Sequence, residues 1–534
     1  MRALVFLLPL LPAVAVAAPW KPHPIKVTPG VPMRAADIKP YVAPKLPPDP
    51  PLDPTDAKSV KVIVDEAVVN IRPWSSPLLG NAARDMHLAV KGTVKGKPGS
   101  GCKLWYALEP FGYVCQREVA ATDAAPSTES VLKVKEGSRL PFLYVMSLVK
   151  EGDKLPMWAN LDDLKKGAEP ERFIERGDTV AVDKTYKHDG AVYWISVEGK
   201  VLAQKGMFVM GGGSEWHGID LTDGLAQPFG WITVDKANAY AALPDAKALA
   251  GKTKPVADAQ VPRRARVNIL GEELVGKRRW LKVTVAAPPP VSGENLIIAK
   301  DAPKRANPDG GAPDAAALPT TELWIVADAV NEVRKLDRPK TIPEGVTKWI
   351  DVDLGEQTLV LYENDKPIWA TLVSSGRAIP TPMGTYPVWA KAAAITMKNQ
   401  PYEDKGYFVN KVPWSTFFQW HNAIHGAYWH DKFGVVKSHG CVNVAPLDAR
   451  HVFEWVTPPL PPGWTGLRPL DLLSSPTVVV RNSHLAKQFR QDRPIGPPDR
   501  ELESQRLEEA EKRRADEAAA KSGPETAPPP APAP

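Results

Sequence analysis

Along most of this chain, apolar and polar residues alternate over runs of four to eight positions, and each run stops at glycine, proline or a charged pair. That period of two belongs to half-buried β-strands. It is clear in TVAVDKTY (179–186), VYWISVEGKVLA (192–203), RARVNILGEELVGKRRWLKVTV (264–285) and TELWIVADAV (321–330). KLWYALEPFGYV (103–114) reads as two alternating runs joined by a Glu-Pro-Phe-Gly turn, which predicts a hairpin. NAIHG (422–426) reads as a strand and turn. APLDARHVFEWV (445–456) is the helical exception, opened by Pro446 in its first turn. The pattern predicts a mainly β protein built from several small units.

Composition marks where the units end. Proline supplies 57 of 534 residues, about twice the usual ~5%, and twelve of these lie between Pro19 and Pro54. Such a stretch makes an extended spacer. A second proline-rich break runs from Pro288 to Pro319, read as a loop of the unit that TELWIVADAV closes. Beyond about Asn482 the chain turns to charged residues and then to PETAPPPAPAP, which is expected to be a disordered tail. Ahead of the spacer, Arg2, an apolar run from Ala3 to Val16 and the small-residue site Ala15-Val16-Ala17 predict a cleaved export signal. That run is too short to span a bilayer, and Pro9 and Pro12 interrupt it, so no membrane span is expected. The net charge of +6 is spread along the chain without a basic stripe or aromatic platform, which argues against nucleic acid as a partner.

Export changes the reading of the three cysteines. Cys102 and Cys115 flank the predicted hairpin and are expected to form a disulfide in an oxidising compartment. Cys441 is left over, inside Ser438-His439-Gly440-Cys441-Val442-Asn443, with His425 sixteen residues upstream. A thiol nucleophile needs a base within hydrogen-bond reach and a third group to orient that base. His425 can supply the base. Gly440 lets the backbone bend so that N–H groups face a substrate carbonyl. His421, His425 and His430 do not read as a zinc site, because the i, i+4 clamp needs a helix that this strand-and-turn pattern lacks. His451, on the predicted helix, reads as structural. Trp414 reads as core, whereas Tyr428 and Trp429 are left open between the core and the wall of a peptide groove.

The histidine, the loop and the Ser-His-Gly-Cys-apolar-Asn string resemble the catalytic domain of the L,D-transpeptidases, the YkuD-like family. KWIDVDLGEQTLVLYENDKPIWATLVSSG (348–376) and TPMGTYPVWAK (381–391) are similar to other parts of that domain, so the resemblance covers about residues 347–481. It implies a catalytic β-sandwich that carries out cysteine acyl transfer on peptidoglycan stem peptides. Cys441 matches the nucleophile, His425 its base, and the backbone carbonyl of Gly426 the group that orients the imidazole. His439 and Gly440 match the turn lining the site, the N–H groups of Gly440 and Cys441 match its oxyanion donors, and Ser438 and Asn443 match supporting residues. Trp429 and His430 are expected as possible substrate contacts. No cofactor or metal is implied. The acyl acceptor is left open among diaminopimelate of another stem, which gives a 3-3 cross-link, a lysine of an envelope protein, and water, which makes an L,D-carboxypeptidase. A wall-binding protein without turnover is the alternative of a different class. Carbapenems are expected to acylate Cys441.

AVVNIRPWSSPLLG (67–80) and the following hairpin are similar to bacterial SH3-like modules. The expected organisation is a leader at 1–17, a linker at 18–57, an SH3-like module with a disulfide at 58–122, β-rich modules at 130–245 and 258–345, the catalytic domain at 347–482 and a tail at 483–534. The expected location is the periplasm or the cell exterior, associated with the wall.

Overall fold

A computed structural model describes residues 48–74, 78–222, 228–251, 255–286, 322–377, 381–398 and 407–485, together with Lys512. The leader, the linker as far as residue 47 and almost all of the tail lie outside the described residues. The described chain is mainly β.

Between Ser59 and Thr122, seven short strands wrap around Val60, Val62, Val69, Leu79, Leu108 and Val114. Ser59–Val62 pairs on one side with His87–Lys95 and on the other with Val119–Thr122. Leu104–Leu108 and Tyr113–Cys115 form the hairpin, and a disulfide joins Cys102 to Cys115 across a Cα separation of 5.9 Å. One strand of this module, β1 (Leu78–Ala83), does more than close its own sheet. It pairs with a strand almost 400 residues later in the chain, Trp464–Leu467, whose Trp464 and Leu467 are buried in the module's core. The crossing is close because Gly80 faces the later strand. A Cβ there would stand 2.3 Å from the Gly466 carbonyl oxygen and 2.7 Å from the Trp464 ring.

The middle module is built around β2 (Thr179–His188), which pairs with Leu143–Ser147 and Ala191–Ser196. Its segment 210–222 then leaves the module as a strap and ends in β3 (Ile219–Asp220). A third sheet of seven strands contains β4 (Phe229–Ile232) between Arg266–Val275 and Val330–Val333. Here the expected boundaries are corrected. Residues 229–240 were assigned to a middle module reaching 245, but they belong to the third sheet, which therefore starts about thirty residues earlier than the expected 258. All four residues of β4 are buried, so the strand needs a partner on each edge, and those partners come from later in the chain.

The fourth unit has two sheets. The first consists of β3, β7 (Lys366–Leu372), β6 (Thr358–Glu363), β5 (Lys348–Asp353), β14 (Thr477–Arg481) and β8 (Gly384–Pro387), in that order, with β5 and β14 parallel. In the second, β13 (Trp464–Leu467) pairs with β9 (Ala390–Lys398), which pairs with β10 (Phe408–Gln419). That strand pairs with β11 (Asn422–Gly426), which runs parallel to β12 (Val442–Val444). Ile350, Val352, Leu359 and Leu361 of the first sheet meet Phe418, Ile424, Val442 and Val444 of the second, and helix α1 (Pro446–Trp455) adds Ala449, Val452 and Phe453. The strap binds this unit through Trp216 Nε1, which donates to Thr371 Oγ1 at 2.9 Å, and Gly218 N–H, which donates to the buried Asp448 carboxylate on α1 at 2.8 Å.

Gly80→Ala should lower the urea midpoint of the full chain, at a cost of about 1–3 kcal/mol from overpacking against Trp464 and Gly466. A midpoint equal to that of the parent would mean that β1 and β13 are not in contact.

Candidate active site

The register of the two parallel strands builds the site. Ile424 pairs with Val442, His425 with Asn443 and Gly426 with Val444, which places Cys441 one step before β12 and alongside the start of β11. The thiol is partly exposed, and its Sγ donates weakly to the His421 carbonyl at 3.7 Å. His425 is only 2% exposed. Its Nδ1 lies 3.4 Å from the Gly426 carbonyl, and because a carbonyl can only accept, Nδ1 carries the proton and Nε2 keeps its lone pair. Burial pushes this imidazole down to about 4, against the smaller opposing effect of the Gly426 carbonyl. At neutral pH it is therefore an uncharged, oriented base.

The turn before Cys441 is held from several sides. Ser438 Oγ donates to the Cys441 carbonyl and accepts from Gly440 N–H at 3.1 Å. Gly440 has φ 143°, a conformation that L side chains rarely adopt. Thr381 Oγ1 donates to the Gly440 carbonyl at 2.8 Å and accepts from Gly376 N–H at 2.9 Å, while Arg377 N–H donates to the Ser438 carbonyl. Gly440 N–H, expected as an oxyanion donor, donates to the Ser438 hydroxyl in this structure. His439 is exposed, with its ring stacked on Tyr407 at 5.1 Å, so it faces the rim of the site.

The loop between the two histidine motifs is packed. Trp429 lies 5.8 Å from the His425 ring and packs, half-buried, against the core. His430 is held by residues of the site itself. Its Nε2 is 3.0 Å from the Asn443 carboxamide nitrogen, Lys432 N–H donates to its Nδ1 at 3.2 Å, and its ring lies against Phe433. Burial, with Lys437 nearby, pushes its pKa down to about 4. Tyr428 resolves to core, stacked on Tyr144 of the middle module at 3.6 Å. Trp414 is buried, and His451 stacks on Trp369 at 4.1 Å. Among the described residues, no group of three or more His, Cys, Asp or Glu side chains is arranged to hold a metal, and no helix is long and apolar enough to cross a membrane.

Sequence reasoning missed Thr381, Tyr407 and the residues gripping the loop from outside: Ser214 on the strap and Arg264 on the third sheet, both of which bond Asp431. The one local signal for the strap is the glycine run at 211–213.

Residues 347–479 match the family model of the L,D-transpeptidase catalytic domain, YkuD. No curated protein matches the chain. Among solved structures, the chain is similar to the Ldtfm–avibactam carbamoyl enzyme at 26% identity, covering 26% of this chain and 50% of that one with a TM-score of 0.21. It is also similar to the catalytic domain of an Enterococcus faecium L,D-transpeptidase at 25% identity, covering 26% of this chain and 99% of that one with a TM-score of 0.20. An L,D-transpeptidase from Mycobacterium smegmatis matches at 16% identity, over 40% of this chain and 99% of that one, with a TM-score of 0.20. The chain thus spans half the length of the first of these relatives.

The buried His425 makes stability depend on pH. Below 6.5 the unfolded chain protonates this imidazole, whereas the folded chain does not until about pH 4, so stability is lost as pH falls through that window. Relative to His425→Gln, the parent should lose up to about 3 kcal/mol more between pH 6.5 and 4 in urea titrations. Equal losses would mean that the imidazole is not buried as described.

Proposed function

We propose that the chain is a cysteine-dependent L,D-transpeptidase that acts on peptidoglycan stem peptides outside the cytoplasm. The observation that carries this reading is the neutral, buried His425, oriented by the Gly426 carbonyl one strand away from Cys441, inside the residues that match the family. A thiol of ordinary pKa is only a few per cent thiolate at neutral pH, so such a base is what a working nucleophile requires.

In this reading Nε2 of His425 takes the Cys441 proton, and the thiolate attacks the carbonyl at the L-centre of the third stem residue. The tetrahedral adduct collapses with cleavage of the C–N bond. Terminal D-alanine leaves as an amine and takes its proton from His425, and a thioester remains on Cys441. An acceptor amine then attacks the thioester, gives up a proton to His425 and frees the thiolate, so that one amide bond is exchanged for another. Diaminopimelate as acceptor yields a 3-3 cross-link, a protein lysine yields a tethered envelope protein, and water yields a tripeptide.

The test is incubation of the full chain with purified disaccharide-tetrapeptide, with products sorted by mass. Dimer or exchanged product supports transfer, tripeptide alone supports carboxypeptidase activity, and an unchanged tetrapeptide contradicts the enzyme and favours a wall-binding protein. Cys441→Ser should abolish turnover, and His425→Ala should lower it about 10²–10⁴-fold. A carbapenem should add its mass to Cys441, and an adduct elsewhere would remove Cys441 from its role.

A further inference from the structure

His430 and its neighbour Asp431 connect two parts of the molecule that the chemistry above leaves separate. On the outer side, the Asp431 carboxylate is bonded by Ser214 Oγ of the strap and by the Arg264 guanidinium of the third sheet, and Arg264 also donates to the Asp431 carbonyl at 3.0 Å. The third sheet grips the same loop again through Asn331, whose Nδ2 donates to the Gly434 carbonyl at 2.8 Å. On the inner side, the His430 ring meets Asn443, the residue registered directly against His425.

The inner contact has a definite polarity. A neutral imidazole has one N–H and one lone pair. Lys432 N–H occupies the lone pair on Nδ1, so Nε2 carries the proton and requires an acceptor 3.0 Å away. The atom of Asn443 facing it is therefore the carboxamide oxygen, the two branches of an amide being interchangeable in assignment. The other branch is buried, with no group donating to it among the described residues, and it is then the NH2 group.

We propose that His430 is a positioning residue that ties the third sheet and the strap to the catalytic strands, with Asp431 as its outer anchor and the carboxamide of Asn443, the residue registered against His425, as its inner one. The accessory units then form part of the active site's framework. The proposal deepens the transferase reading and rests on it for the turnover measurement alone.

The test uses the full chain and three readouts: kcat and KM on disaccharide-tetrapeptide, the rate of Cys441 alkylation by iodoacetamide at neutral pH, and the thermal midpoint. His430→Leu removes the donor to Asn443 and should lower both kcat and the alkylation rate about ten- to hundredfold, with KM little changed. His430→Gln, whose amide N–H reaches the same place, should restore most of both. Arg264→Asp and Asp431→Arg should each lower kcat, and the double exchange should recover it. The surface pair keeps the test decisive if His430→Leu does not fold. A leucine variant as active as the parent, a glutamine variant as impaired as the leucine one, or a charge exchange no better than its single changes would overturn the proposal. Absence of turnover in the parent would instead refute the transferase reading, and the alkylation rates would still decide the positioning role.

Discussion

Parallel strands cannot be joined by a tight turn, and β11 and β12 are neighbours in the sheet with residues 427–441 between them. Fifteen residues must leave the sheet and return, and in most proteins a helix makes that crossover. Here no helix does, so the loop's polar backbone has to find partners elsewhere. The Ala427 N–H donates to Val444, Gly434 to Val373 and Lys437 to Ser375, while Ser374 Oγ donates to the Lys432 carbonyl. Tyr144, Trp216 and Trp231 supply the apolar contacts from the middle module, the strap and β4. Bringing His425 and Cys441 to neighbouring parallel strands thus leaves a loop whose backbone bonds to its own unit and whose apolar side chains pack in part on the accessory units.

The same packing sets the electrostatics. A surface histidine of ordinary pKa, ~6.5, is partly protonated near neutral pH, and that fraction cannot take a proton from a thiol. Placed between strands and oriented by a carbonyl, His425 stays neutral, at a cost in stability under acid conditions. Asp448 answers to the same rule with the opposite sign. Burial raises its carboxyl to about 7 although Thr371 and Gly218 donate to it. The residue joining strap, α1 and β7 is therefore uncharged together with the histidine only between about pH 4 and pH 7.

Much of the site was legible because its chemistry is carried by short strings: the Cys441 turn, His425 sixteen residues upstream, and the paired cysteines flanking an alternating hairpin. What was missed is three-dimensional. Nothing local to Gly440 says that the Ser438 hydroxyl takes its N–H, and nothing local to His430 says that its ring faces Asn443 rather than a substrate. The module boundary failed for a related reason. Phe229–Ile232 is buried at every position, so it shows no alternation, and its partners at Arg266–Asn268 and Val330–Val333 are remote in sequence. The pairing of β1 with β13 lay still further out of reach.

The central claim is that Cys441 carries the acyl group, with His425 as its base. Intact-mass analysis of the full chain, quenched in acid shortly after mixing with a tetrapeptide donor, tests it directly. The account predicts a species heavier by the donor minus one alanine, mapped by digestion to the peptide containing Cys441 and absent in Cys441→Ser. Release of D-alanine without that adduct, or an adduct that persists in Cys441→Ser, would contradict it.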